Sequence, residues 1–177
     1  MAVMSEKACF VKVRPFNRED LKKMILWNND PEVERFVDRG LPRDLEECEL
    51  WLEQMKKNRE YRLFAIEDEN ERLIGDLELD HICWRRREAE LRIRIGEKEY
   101  WNKGYGTLAL QQIITYVFGD LGLNLLYLRV YAFNSRAIQC YERIGFKKQA
   151  ALKRPKDQGW KEIYLMSIQN PQGETLD

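Results

Sequence analysis

The run Glu90-Leu-Arg-Ile-Arg-Ile-Gly-Glu-Lys-Glu-Tyr-Trp-Asn-Lys-Gly-Tyr-Gly-Thr107 constrains this chain more than any other stretch. Leu91, Ile93 and Ile95 alternate with Glu90, Arg92 and Arg94, the period of a half-buried strand, which Gly96 ends. From about Gly106 the period changes, and Leu110, Ile113, Ile114, Val117, Phe118 and Leu121 fall at helical spacing. A strand therefore runs through a short loop into a helix, with Lys103-Gly-Tyr-Gly-Thr107 at the helix mouth. The first N–H groups of a helix have no partner inside it, and the dipole makes that end positive. Gly104 and Gly106 let a phosphate approach such a mouth closely, which makes it a ready anion site. Taken alone, the same Gly-x-Gly is more often just a tight turn.

The chain has 177 residues, enough for one domain with a real core, and 1–177 reads as a single domain with a polar tail over about 170–177. Thirty acidic residues balance thirty basic ones, so charge calls for neither nucleic acid nor a membrane surface. Arg85-Arg-Arg87 is followed at once by Glu88 and Glu90 and reads as a solvated loop rather than a nucleic-acid patch. The first residues lack the apolar run of a signal peptide, and no stretch approaches a spanning helix, so the expected location is cytoplasmic. Cys9, Cys48, Cys83 and Cys140 are far apart, with no Cys-x-x-Cys and no His pair, which predicts buried thiols and no metal site.

Taken in order, residues 9–14 read as a first strand ended by Pro15, and Asn17 as the cap of a helix whose inner face is Leu21, Met24, Ile25 and Trp27. Asp44 begins a longer helix with Leu45, Cys48, Trp51, Leu52 and Met55 on its apolar face. Residues 62–67 and 73–82 read as a hairpin turning at 68–71. Gly122 caps the central helix, 125–131 is rich in strand formers, and Asn134 and Gly145 bracket another helix. Residues 146–153 and 160–168 read as a last pair of strands around a turn at 157–159. This order predicts an α/β chain of the α+β type, with one mixed, mostly antiparallel sheet of about seven strands flanked by helices. Rossmann spacing would need a third glycine after Gly106, and none is there, which disfavours a nicotinamide cofactor.

A second cluster, Asn134-Ser-Arg-Ala-Ile-Gln-Cys-Tyr141-Glu-Arg-Ile-Gly145-Phe146, follows the glycine loop by about thirty residues. Asn134 reads as a helix cap and Tyr141 as core when each is taken alone. Together with the strand–glycine loop–helix unit, the pattern resembles the GNAT superfamily of N-acetyltransferases. Val11-Lys-Val-Arg-Pro15 and Leu73-Ile-Gly-Asp76 extend the likeness over nearly the whole chain. Glu99-Tyr-Trp-Asn-Lys-Gly-Tyr-Gly-Thr107 is similar to the branch holding ribosomal-protein alanine and spermidine acetyltransferases.

The resemblance implies acetyl-coenzyme A as donor, with the GNAT-like fold just outlined. It implies that the amides of Asn102, Lys103, Gly104, Tyr105, Gly106 and Thr107 cradle the pyrophosphate. It further implies that main-chain groups of Ile93, Arg94 and Ile95 pair with the pantetheine arm like an added strand, that Asn134 bonds that arm, and that Tyr141 faces the thioester sulfur. Lys103 and Arg136 are candidate phosphate contacts that read equally as surface charges. Two positions depart from the family pattern: Trp101 stands where Gln or Arg is common, and Asn102 where Gly is common. Asn tolerates left-handed backbone, so only a side-chain contact from position 101 is in question.

For chemistry, the acceptor amine must be neutral to attack, which at pH 7 costs roughly 4–5 kcal/mol for a lysine-like amine. A carboxylate can take the proton, and a tyrosine can protonate the departing thiolate. Tyr141 is the expected acid and Glu90 the expected base, with Glu78, Asp80 and His81 as rivals. Asp76, Glu78, Asp80, Glu88 and Glu90 cluster on adjacent strands, and half of them are expected to point outward because side chains alternate. Trp27, Trp84 and Trp160 are candidates to line an acceptor cleft, and packing explains them as well. The implied partner is a protein N-terminus, a polyamine or a small amine. A homodimer through the C-terminal strands is a further expectation. A non-catalytic coenzyme A-binding sensor is the alternative function.

Overall fold

A computed structural model describes residues 9–156 and 159–173. The predicted turn at 157–159 and the end of the polar tail therefore fall partly outside the described residues. Within them, β1 (Lys12–Pro15), α1 (Leu21–Asn28), α2 (Pro31–Glu34) and α3 (Leu45–Lys57) precede the strands β2 (Arg62–Glu67), β3 (Leu73–Cys83) and β4 (Glu88–Ile95). Then come α4 (Tyr105–Thr115), β5 (Leu125–Tyr131), α5 (Ser135–Ile144), β6 (Lys147–Lys156) and β7 (Gly159–Gln169). The strands form one seven-stranded sheet in the order β1-β2-β3-β4-β5-β7-β6, the mixed sheet expected from the element order.

Every neighbouring pair is antiparallel except β4 and β5, which the α4 crossover makes parallel. That parallel pairing is brief. It covers Glu88↔Leu125, Ala89↔Leu126 and Glu90↔Tyr127, and then the two strands part. The resulting wedge in mid-sheet positions the site.

Pleating separates the sheet's two faces by residue parity. On one face Ile66, Leu77, Leu79, Leu91, Leu126 and Leu128 pack beneath Leu110, Ile113 and Val117, all nearly or fully buried. Each such side chain stabilises the fold by about 1.5–3 kcal/mol relative to exposure. On the other face Ala65 packs with Leu21, Met24, Cys48 and Leu52 of α1 and α3. The sequence places Leu45 on that inner face too, but it lies at the first turn of α3 and is exposed. Asp44 caps α3 by accepting from the Glu47 amide at 2.9 Å. The helix after the glycine loop closes with a π-helical turn over Tyr116–Asp120, and Gly122 (φ +62°) ends it as expected. Of the four cysteines, all unpaired, only Cys48 is fully buried.

Trp27 is not a cleft residue but a buttress. It is buried against Gly96, where a Cβ would stand 2.1 Å from the indole ring, and its Nε1 donates to Glu97 at 3.0 Å. Gly96→Ala is therefore expected to destabilise the protein by about 1–3 kcal/mol or more, through displacement of a buried indole. Thermal unfolding of the variant beside wild type checks this.

Candidate active site

The wedge between β4 and β5 opens into a cleft of about 380 Å³, lined by β3, β4, β5, the glycine loop, α5 and the segment after α2. Backbone alternation decides which groups of β4 face it. The Gly96 amide donates to Ile74 on β3 at 2.9 Å, so even-numbered residues of β4 turn their main chain toward β3. Ile93 and Ile95 consequently turn theirs toward the parted β5, as an added-strand ligand requires. Arg94 does not: its main chain faces β3, and its side chain grips Asp76 and donates to Asn28 at 2.7 Å. The Ile95 carbonyl is also taken, by the Trp101 indole at 2.7 Å. The expected main-chain track thus narrows to both groups of Ile93 and the amide of Ile95.

The glycine loop has the geometry of an anion cradle. Asn102 (φ +60°) and Gly104 (φ +85°) both sit in the left-handed region, the first explaining why Asn serves where Gly is common. The first helical hydrogen bond runs from Leu108 N to Gly104 O. The amides of Tyr105, Gly106 and Thr107 accordingly have no acceptor among the described residues. A Cβ at Gly104 would meet nothing within 4 Å, so the mouth is open. Asn102, Gly104, Tyr105, Gly106 and Thr107 line the cleft, whereas Lys103 is exposed and lies outside it. This open mouth beside an unpaired strand edge fits a pyrophosphate with an amide-bearing arm.

From α5, Asn134 caps the helix by accepting from Ala137 N at 3.3 Å and turns toward the cleft. Arg136 stacks 3.9 Å over Trp101 and 5.2 Å over Phe36. It has no carboxylate partner among the described residues, and burial lowers its pKa. An unpaired guanidinium in the cleft suits an anion. Tyr141 is buried, with its ring 5.7 Å from Phe146, and its hydroxyl has no hydrogen-bond partner among the described residues. Burial, and then the neighbouring Cys140, push the phenol's pKa well above its ordinary value. It therefore keeps its proton at neutral pH.

The β3 and β4 carboxylates are not divided between faces. Asp76, Glu78 and Asp80 are two apart and share one face, paired in register with Arg94, Arg92 and Glu90. The expectation that half point outward is corrected by this parity. Glu90 is buried behind the cleft rather than in it. Its oxygens accept from Arg129 at 2.8 and 3.2 Å and from Arg92 at 3.0 Å, and His81 Nδ1 lies 3.3 Å away. Glu78 lines the cleft and is also buried. One of its oxygens is gripped by Arg39, while Oε2 has no hydrogen-bond partner and lies 3.6 Å from Arg92 Nη1. The Tyr61 phenol is buried, its hydroxyl has no hydrogen-bond partner among the described residues, and burial and next Glu78's charge raise its pKa. His81 and Asp80 do not line the cleft, nor do Trp84 and Trp160; the aromatic lining is Phe36, Tyr100, Trp101, Tyr105, Tyr131 and Tyr141.

A split parallel pair, an open glycine-loop helix mouth and an unpaired buried phenol define a coenzyme A-dependent acyltransferase. Residues 11–147 match the family described as the acetyltransferase (GNAT) domain, and the chain belongs to that family. It is 32% identical over 145 residues to the spermidine N(1)-acetyltransferase of Escherichia coli, covering 80% of this chain and 75% of that one. It is 30% identical over 141 residues to the Vibrio cholerae enzyme of the same name, covering 79% and 80%. The crystal structure of spermidine N-acetyltransferase from Vibrio cholerae in complex with CoA and spermine superposes with a TM-score of 0.84 at 26% identity, covering 90% of this chain and 95% of that one. The chain is an acetyl-CoA-dependent N-acetyltransferase acting on an amine.

Proposed function

We propose that 1–177 acts as a single catalytic unit in which Tyr141 is the acid and Glu78, rather than Glu90, receives the acceptor amine. The observation that carries this reading is a pair of unsatisfied groups in one cleft: the Tyr141 hydroxyl from the α5 face and Glu78 Oε2 from the opposite face. Acetyl-CoA supplies an activated thioester and a thiolate leaving group. The chain's own work is to hold, orient and move protons. Amides of Tyr105, Gly106 and Thr107 hold the pyrophosphate, Arg136 adds a positive charge, and Ile93, Ile95 and Asn134 align the amide-bearing arm. Glu78 Oε2 accepts a hydrogen bond from the amine. The arriving ammonium must lose a proton before its nitrogen can attack, and the carboxylate in hydrogen-bond reach takes that proton and passes it to solvent; the second N–H proton leaves to water as the C–N bond forms. Tyr141, protonated because buried, gives its proton to the sulfur as the C–S bond breaks.

Spermidine, the substrate for which the similar enzymes are named, makes polyamines one acceptor class to try, beside peptide N-termini and small amines. The test is release of free thiol from acetyl-CoA across such a panel, with coenzyme A binding followed by thermal shift. Turnover of one amine class supports the reading. Binding of coenzyme A without turnover of any class favours the non-catalytic sensor, and no binding at all overturns the assignment of the glycine loop.

A further inference from the structure

The acceptor end of the cleft is built from ion pairs that are already matched. Asp38 is held by Arg154 at 2.9 Å, Asp76 by Arg94, and Glu78 by Arg39. Behind the cleft, Asp80 is held by Arg92 at 2.6 Å and Glu90 by Arg129 at 2.8 Å. The carboxylates that line the cleft, Asp38, Asp76 and Glu78, are thus each already paired with a guanidinium. A second or third ammonium entering here finds no uncompensated negative charge, and a buried cation without a partner is strongly disfavoured.

The open groups are of a different kind. On the acceptor side, buried Glu78 Oε2 is unsatisfied. On the donor side, Arg39 Nε is buried and unsatisfied. Arg129, an exposed residue that also feels the charge of Asp38, meets Glu90 through Nε and Nη2, and its Nη1 has no hydrogen-bond partner among the described residues. Both arginines line the cleft. They belong to one continuous chain of pairs, Arg39–Glu78–Arg92–Glu90–Arg129.

We infer that the acceptor is a primary amine carrying an anionic group, carboxylate or phosphate, rather than a polyamine. The amine sits at Glu78 Oε2 and the anion takes the open N–H groups of Arg39 and Arg129. This inference rests on the transferase reading above and specifies its substrate class. Only the amine is acetylated, and the anion is bound unchanged.

The experiment compares 4-aminobutanoate, butylamine and 1,4-diaminobutane, which share one carbon chain and differ in the far group, with 2-aminoethyl phosphate and spermidine alongside. At saturating acetyl-CoA, kcat/KM is expected to fall from 4-aminobutanoate to butylamine to diaminobutane by about tenfold at each step, the order of effect of one mispaired charge. The carboxylate and phosphate arms tell the two anion sources apart. Arg39→Gln is expected to bring the 4-aminobutanoate to butylamine ratio toward one. A merely structural loss would lower both alike and leave the ratio unmoved. Faster turnover of diaminobutane or spermidine than of either anionic amine overturns the inference while leaving the transferase reading intact. If none of the five turns over, the same order is read from calorimetric binding to the coenzyme A-loaded protein. Tighter binding of the diamine there overturns the inference, and the missing turnover counts separately against the transferase reading.

Discussion

Tyr141→Phe is expected to lower kcat by roughly 10²–10³-fold, the usual contribution of a positioned acid. Coenzyme A binding should be retained. The phenyl ring keeps the packing against Phe146, and the lost hydroxyl makes no hydrogen bond among the described residues, so the fold has little to lose. Single-turnover thiol release beside a thermal shift with coenzyme A separates the two effects. Because burial raises the phenol's pKa, wild-type activity should climb with pH as the amine loses its proton. No alkaline fall from Tyr141 should appear until above the ordinary phenol value of about 10. Stability carries the same sign. Tyr61 and Tyr141 both have folded pKa values above the unfolded one, so their contribution is constant below about pH 10 and is lost above it, where the unfolded chain ionises first. A variant that keeps more than about a tenth of wild-type kcat would remove the acid role, since such groups contribute at least about 10²-fold.

The sequence carried the backbone of the site better than its charges. The change of period between Ile95 and Gly106 placed the strand, loop and helix, and Asn134 and Gly145 bracketed α5, because these signals are local. The wedge followed from the resemblance, not from any periodicity, since strand splaying depends on where a parallel pairing ends. Trp27 falls on the inner face of α1 as its spacing predicts, but nothing local tells that its ring lies against Gly96, some seventy residues later, rather than in the cleft. The Ile95 carbonyl was assigned to the ligand because an indole six residues on, Trp101, gives no sequence sign of folding back. The sequence does not tell Glu78 from Glu90 as the carboxylate with an open oxygen, for a related reason. Which of two buried carboxylates is saturated depends on antiparallel register and on Arg39, an arginine thirty-nine residues before Glu78 on a loop. One signal was there to be used. Asp76, Glu78 and Asp80 at spacing two, opposite Glu90, Arg92 and Arg94 at spacing two, predict one charged face rather than an alternating one.

Glu78→Gln follows from that face and is expected to reduce kcat/KM by roughly 10²–10³-fold at pH 7. Gln keeps the size of the side chain and an oxygen for Arg39, so the loop after α2 stays tethered. What it cannot do is take a proton, and its NH₂ group places a donor where the amine needs an acceptor. The dependence on pH distinguishes this loss from the one at Tyr141. Glu78 matters while the acceptor arrives protonated, and a lysine-like amine is mostly protonated until about pH 10.4. The deficit of Glu78→Gln should therefore shrink steadily as pH rises toward that value. The deficit of Tyr141→Phe should not, because the sulfur needs a proton whatever the state of the amine. Measuring kcat/KM for both variants from pH 6.5 to about 10, short of where phenols ionise, gives two curves. Curves that converge for Glu78 and stay parallel to wild type for Tyr141 assign base and acid separately. A Glu78→Gln deficit that is flat with pH would instead make Glu78 a group that merely orders Arg39 and Arg92, and would return the proton to solvent.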